Sequence, residues 1–239
     1  MTQKYSGIYS IPVTPFNEDR SVDYKSLRSC IEFLVEKGSD GILLPVNVSE
    51  ASKLSDSERD SILSEAVKVV KNKIPIIAGV SGVSSEHVVE RSKYAEGLGI
   101  TSIMAMPPLS HSSKNQFIDF YSEISKNVEV DIWIQNNKPP AGPTISNEVL
   151  AEIINGIDRV NFLKEESDTP GHIMSFIRDK CKKNIQSIMG GAGGRFSIDE
   201  YRRGADGIMP SGHMVEAHKK LWLALTNSER NKISTEAIE

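Results

Sequence analysis

An alternation repeated eight times constrains this chain more than any other feature. Short apolar, β-branched runs, of which Ile74-Pro75-Ile76-Ile77-Ala78 is the plainest, are each followed by an amphipathic stretch of helical length. A run apolar on both faces belongs to a strand covered on both sides, as parallel strands are. Parallel neighbours also need a long crossover between them, usually a helix. The pattern predicts strands at Gly7–Val13, Gly41–Val46, Ile74–Val80, Ser102–Met106, Val130–Asn136, Val160–Lys164, Ser187–Gly190 and Asp206–Met209. It predicts helices over roughly 23–36, 58–71, 84–97, 114–126, 146–155, 171–181, 196–203 and 213–225. Eight strand–helix units in 239 residues point to an α/β fold, a (β/α)8 TIM barrel over 1–225 with a polar tail over 226–239. A sequence does not give strand order, so a doubly wound open sheet is the alternative.

Local signals agree with the helices. Ser55 is followed three residues later by Glu58, the spacing of a capping box, and Ser84 and Ser146 also stand at helix starts. Leu27, Ile31, Leu34 and Val35 share one helical face. Gly38 and Gly99 follow helix ends.

Charge and composition narrow the function. The net charge of −4 gives no electrostatic reason to expect nucleic acid. No apolar run approaches the length of a membrane span, and Met1–Ser6 lacks the apolar core of a secretion signal. Cys30 and Cys181 lie far apart, which fits a reducing cytoplasm better than a disulfide framework. The expectation is a cytoplasmic protein with a small-molecule partner.

A barrel gathers its chemistry at the C-terminal ends of its strands. Six of those ends carry polar or flexible segments: Asn47-Val48-Ser49-Glu50, Ser81-Gly82, Gln135-Asn136-Asn137, Lys164-Glu165-Glu166, Gly190–Arg195 and Ser211-Gly212. Lys164 directly follows the apolar run Val160–Leu163, where lysine is unusual. A desolvated amine disfavours its charged form and can attack a ketone to form an imine. The competing reading is a lysine that merely pairs with Glu165 or Glu166. The glycine run Gly190–Gly194 has two readings as well. Its bare amides, with Arg195, could hold a carboxylate or phosphate, or it could be a tight turn. His87 and His172 read as surface positions, and His213 and His218 have the wrong spacing for a helical metal pair. His111 could face the cavity. No Cys/His cluster has zinc spacing, and no GxSxG elbow occurs. Neither metal nor cofactor is expected.

Several segments together resemble the dihydrodipicolinate synthase / N-acetylneuraminate lyase family of class I aldolases. The segment "GIYSIPVTPFNEDRSVDYKSL" is similar to that family's first strand and loop. "GSDGILLPVNVSEASKLSDSER" is similar to its second, "IPIIAGV" and "AEGLGITSIMAMPP" to its third and fourth, and "VNFLKEESD" to the segment bearing its Schiff-base lysine. The resemblance implies a (β/α)8 barrel, an imine between Lys164 and a 2-oxo acid such as pyruvate, and a homo-oligomer, dimer or tetramer. The family's threonine pair falls at Asn47 and Val48, and Ser49 replaces a glycine. Its proton-relaying tyrosine falls at Gln135, and a second tyrosine falls near Leu109-Ser110. Its arginine after strand 5 has no clear counterpart in "NNKPPAGPT". An amide cannot relay protons as a phenol does, so dihydrodipicolinate synthesis is not expected. Glu166, two residues beyond Lys164 and on the same side of the strand, is the candidate proton carrier. Glu50 is expected to support the second loop. Family members usually continue into a helical C-terminal subdomain, and the resemblance therefore implies a fold that lacks most of it. The predicted activity is a carbon–carbon or carbon–oxygen lyase. The catalytic residues would be Lys164, Gln135 and Glu166, and the substrate contacts Asn47, Val48, Ser49, Gly190, Gly191 and Arg195. The alternatives are a catalytically silent barrel that binds a small carboxylate or phosphate, and an enzyme for a phosphorylated substrate with Lys164 as a point charge.

Overall fold

The computed structural model describes residues 5–227. Eight parallel strands close into a barrel in sequence order, and the last pairs with the first through Gly7↔Gly207 and Ile8↔Ile208. The strands are β1 (Gly7–Ser10), β2 (Gly41–Leu44), β3 (Ile76–Gly79), β4 (Ser102–Ala105), β5 (Asp131–Asn136), β6 (Phe162–Glu165), β7 (Ser187–Gly190) and β8 (Gly207–Ile208). The helices are α1 (Tyr24–Glu36), α2 (Asp56–Val70), α3 (Ser85–Gly97), α4 (Lys114–Asn127), α5 (Asn147–Gly156), α6 (Pro170–Lys180), α7 (Ser197–Arg202) and α8 (Val215–Thr226). The closed strand order removes the open-sheet alternative. Predicted strands run long at their ends because apolar residues continue into buried loops. Val46 and Val80 are 5% and 0% exposed outside any strand. The tail expected over 226–239 lies outside the described residues from position 228 onward.

Helix starts follow the sequence signals. Ser55 and Glu58 form the reciprocal capping box at α2, and Ser113 with Gln116 forms another at α4. Ser84 caps α3 by accepting from His87 N, whereas Ser146 opens α5 without a side-chain cap. Residues Leu27, Ile31 and Leu34 bury the inner face of α1.

Strand alternation sorts side chains into two layers. One apolar cluster fills the barrel interior, and the other joins the barrel's outer surface to the helices. An aromatic plug anchors the interior: Trp133 of β5 stacks on Phe162 of β6 with centroids 5.0 Å apart, and Tyr5 meets both edge-on at 5.6 and 5.3 Å. The Trp133 indole N–H donates to Ser102 Oγ at 3.0 Å, which satisfies the plug's buried polar atom. Two residues further along those strands come Gln135 and Lys164, and alternation therefore turns both inward above the plug.

Candidate active site

Gln135 and Lys164 are register partners across β5 and β6, and each is 2% exposed. The chain then leaves β6, and Glu166 turns to the same inner side. Its backbone N–H donates to Asn136 O at 2.9 Å, so the β5–β6 ladder still holds it. The Lys164 amine lies 2.9 Å from Glu166 Oε2. Gln135 Nε2 donates to the same oxygen at 2.7 Å, and Asn137 Nδ2 approaches it at 3.4 Å. The other oxygen, Oε1, accepts from Ala192 N at 3.0 Å. Burial by itself would raise the Glu166 carboxyl. The Lys164 charge, with the hydrogen bonds from Ala192, Lys164 and Gln135, outweighs burial and holds it below the usual carboxylate range. Lys164 is therefore dry and has a carboxylate partner, Glu166.

The glycine loop after β7 explains how Glu166 fits. A Cβ at Gly191 would stand 2.2 Å from Glu166 Cγ and 2.3 Å from Oε1, so Glu166 lies where that side chain would be. Ala192 holds the left-handed φ of 49°, a sparsely populated conformation for alanine, while its N–H reaches Glu166. The loop does hold a carboxylate, but it is the protein's own.

That arrangement sets the surroundings of three expected substrate contacts. Gly190 faces out of the barrel, against Glu200 of α7. Gly191 is covered by Glu166. Arg195 is exposed, and its guanidinium lies over the Phe196 ring at 5.9 Å, away from the cluster's hydrogen bonds. The β2 loop divides similarly. Asn47, Val48 and Ser49 form a 3-10 turn. Ser49 is buried and donates its hydroxyl to Pro12 O at 2.8 Å, while its carbonyl accepts from Thr14 Oγ1 at 2.7 Å. The hydroxyl that was expected to meet substrate instead ties two loops together. Val48 is exposed and offers no polar side-chain atom. Asn47 does line the mouth cavity. Glu50 takes a left-handed φ of 56° at the end of the turn and pairs with Lys53, consistent with a supporting role.

The cavity measures about 700 Å3 and opens between the loops after β2, β3, β4 and β5. Gln135 belongs both to its wall and to the Lys164 cluster. Arg59 lines it with a guanidinium committed to Ala51 O at 2.7 Å and Ser81 O at 3.0 Å. His87, read from the sequence as a surface position, lines it as well, with Nε2 3.0 Å from Asp56 Oδ2. His111 packs against Phe117 and Phe120 of α4.

Sequence reasoning placed Asn137 and the Ala192 amide in strand-end segments without giving either a partner, and it passed over Glu200. Glu200 had a sequence signal: helical spacing puts it on the same buried face as Ser197 and Tyr201. Among the described residues, no group of three or more His, Cys, Asp or Glu side chains could hold a metal ion, and no helix is long and apolar enough to cross a membrane.

Comparison with known proteins places this geometry. The family model described as "Dihydrodipicolinate synthetase family" matches residues 4–230, and the chain belongs to that family. It is 28% identical over 218 residues to the L-2-keto-3-deoxyarabonate dehydratase of Azospirillum brasilense, covering 88% of this chain and 69% of that one. It is 26% identical over 182 residues to a 4-hydroxy-tetrahydrodipicolinate synthase of Methanococcus maripaludis, covering 76% of this chain and 62% of that protein. The fold matches the chloride-inhibited dihydrodipicolinate synthase of Acinetobacter baumannii complexed with pyruvate. That match has a TM-score of 0.89 and 22% identity, and covers 99% of this chain and 80% of the other.

Proposed function

We propose that this protein is a lyase that binds a 2-oxo acid, of pyruvate or keto-deoxy sugar-acid type, as an imine on Lys164. The observation that carries the reading is the Lys164–Glu166 couple: a buried amine on the inner face of β6, next to Gln135 of the cavity wall, with one carboxylate placed to exchange a proton with it. In this scheme Glu166 takes the ammonium proton and the free amine attacks the substrate ketone. Protonation of the resulting hydroxyl by Glu166 expels water and leaves the imine. The cationic imine then withdraws electrons from the neighbouring carbon, so either C3 loses a proton, or the C3–C4 bond breaks as Glu166 takes the C4 hydroxyl proton and the C4 fragment leaves as an aldehyde. Glu166 can receive the C3 proton and return it to a departing hydroxyl, which completes a dehydration without net loss of protons.

Gln135 has no proton to relay. Its role is to orient Glu166 through the 2.7 Å hydrogen bond and to touch substrate from the cavity side. With an amide where the family's phenol is expected, we favour dehydration or cleavage of a sugar acid over dihydrodipicolinate synthesis. The dehydratase relative supports that choice of substrate class. The scheme uses neither metal nor cofactor. We further propose a cytoplasmic homo-oligomer, dimer or tetramer, which light scattering of the purified chain tests.

The decisive experiment is borohydride reduction in the presence of pyruvate and a panel of other 2-oxo acids, read by peptide mass. A stable adduct on Lys164, absent from Lys164→Ala, is expected. An unmodified Lys164 across the whole panel overturns the reading. One observation favours a second reading, a silent barrel that binds a small acid. Glu166 is supplied with donors by four residues and stands beside the amine as a structural counter-ion would. Thermal stabilisation by a 2-oxo acid without any adduct would select it.

A further inference from the structure

Glu165 stands between Lys164 and Glu166 in the chain and points the opposite way, into the layer under the helices. It is 0% exposed. Asn136 Nδ2 donates to its Oε2 at 2.8 Å and Ser167 N to its Oε1 at 2.7 Å. Its register partner on β7 is Gly190. A Cβ on Gly190 would lie 1.9 Å from Glu200 Oε2 and 2.6 Å from Oε1, so the Glu200 carboxyl fills the place of the missing side chain. Glu200 arrives from α7, is also 0% exposed, and neither of its oxygens has a hydrogen-bond partner among the described residues. Both carboxyl groups therefore lie in the layer outside the barrel at neighbouring strand positions, Glu165 on β6 and Glu200 of α7 over Gly190 of β7, where strands are about 4.8 Å apart.

The charged groups around this pair give it no cation. Lys164, on the inner face of β6, is committed to Glu166 just past the strand end, and Asp199 precedes Glu200 on α7. On α6, Arg178 is committed to Asp206 and to Gly204 O. Arg203, after α7, is bound to Asp199 and Ser175. On α8, burial lowers His218 and favours its neutral form. Two desolvated carboxylates with no counter-ion strongly disfavour full ionisation.

We propose that Glu165 and Glu200 hold one proton between them at neutral pH, and that this buried acid pair regulates the Lys164–Glu166 couple in front of it. Burial pushes Glu165 up to about 7. Burial, with the charges of Glu165, Asp199 and Glu166, pushes Glu200 up to about 8. The two titrate as a unit. The link to the site is short. Glu165 O accepts from Gly191 N at 3.2 Å, and Gly191-Ala192 is the ledge on which Glu166 rests. When the shared proton leaves for solvent, a second negative charge appears behind Glu166 and against the β7 end that carries that ledge. The pair's proton is independent of the imine reading, and only its regulatory effect rests on it.

The test uses the whole chain and has two parts. Infrared difference spectra between pH 5 and pH 9 read the carbonyl stretch of a protonated buried carboxyl. The band is expected in the wild type at pH 7, lost above the pair's titration range, and in Glu200→Gln weaker and lost at lower pH, because only Glu165 is left to carry it. Thermal melts follow the same pH series. The glutamine variant is expected to gain on the wild type by roughly 3 °C or more between pH 5 and pH 8, because the wild type buries a second carboxyl, Glu200, that the unfolded chain ionises and the variant does not. No such band in the wild type at pH 7 overturns the pair, even if the variant does not fold. Parallel melting curves overturn it as well. In the second part, the pH profile of adduct formation on Lys164 is compared for wild type and Glu200→Gln. A profile shifted by about half a pH unit or more supports regulation, and superimposed profiles overturn it. Absence of any adduct in the wild type removes the imine reading and with it the regulatory claim, while the spectra and melts still decide whether the proton is shared.

Discussion

Lys164 and Glu166, two residues apart at the end of β6, form an ion pair inside the barrel with Nζ 2.9 Å from Oε2 and side-chain exposures of 2% and 15%. The pair is stabilised by its surroundings as much as by mutual attraction. Gln135, Asn137 and the Ala192 amide each supply a donor to the carboxylate. A buried ion pair loses solvation on both sides, and those extra hydrogen bonds are what offset the loss.

The direction of the Glu166 shift fixes how its contribution to stability varies with pH. Its folded carboxyl titrates below the ordinary value of an unfolded glutamate, about 4.3. That contribution is therefore fully present above the unfolded value and is lost as pH falls through the folded one. Glu166→Gln is expected to be less stable than wild type by about 2–3 kcal/mol at pH 7. The gap should narrow in acid, below about pH 4. Urea denaturation across pH measures it, and a gap that stays constant into acid contradicts the ion-pair account.

Gln135→Leu keeps the size of the side chain above the aromatic plug and removes the 2.7 Å donor to Glu166. A hydrogen bond to a charged group contributes about 1.5–3 kcal/mol. Adduct formation on Lys164 should therefore slow by roughly tenfold or more, and its acid limb should move to higher pH as Glu166 becomes a weaker acid. Trapping rates measured against pH decide this. An unchanged limb would mean that Gln135 does not support Glu166.

The barrel was legible because its signal is redundant. Eight apolar runs and eight helical stretches each repeat the same instruction, and a slip of two residues at a strand end changes nothing. Lys164 was legible because a lysine closing an apolar strand is rare. What surrounds it was not. Whether Glu165 or Glu166 meets the amine depends on the side to which the chain turns after β6, and alternation favoured Glu166. The glycine loop admitted two readings, a ligand cradle or a tight turn, because bare amides suit any anion and glycines suit any turn. Only the three-dimensional placement shows Glu166 arriving as that anion. Ser49 was read as a substrate contact because its partner, Pro12 O, is 37 residues away in sequence, and Glu200 was missed because helical spacing marks it as buried without showing that it packs over Gly190.

Arg195 distinguishes the imine reading from one in which the β7 loop holds a phosphate. Its guanidinium is exposed and meets the Phe196 ring. Arg195→Ala should change stability by no more than about 0.5 kcal/mol, as surface substitutions usually do. It should also leave the rate of adduct formation unchanged. Inorganic phosphate should compete equally weakly with the 2-oxo acid in both proteins. A loss of competition confined to the variant would restore the phosphate site.

Gly191 offers the sharpest contrast, because a neighbouring glycine serves as its control. An alanine at Gly191 would place Cβ 2.2 Å from Glu166 Cγ, a distance that no small adjustment relieves. Glu166 would be driven off the Ala192 amide, and Lys164 would lose its proton acceptor. At Gly193 nothing lies within 4 Å of the added carbon, and the cost comes only from its φ of +70°. Gly193→Ala should therefore lose about 1 kcal/mol of stability and keep its adduct chemistry. Gly191→Ala should lose more, about 2–3 kcal/mol, and form the Lys164 adduct at least about tenfold more slowly. Melting curves read the first quantity and borohydride trapping the second. Equal trapping rates in the two variants would show that the position of Glu166 over Gly191 has no part in the chemistry.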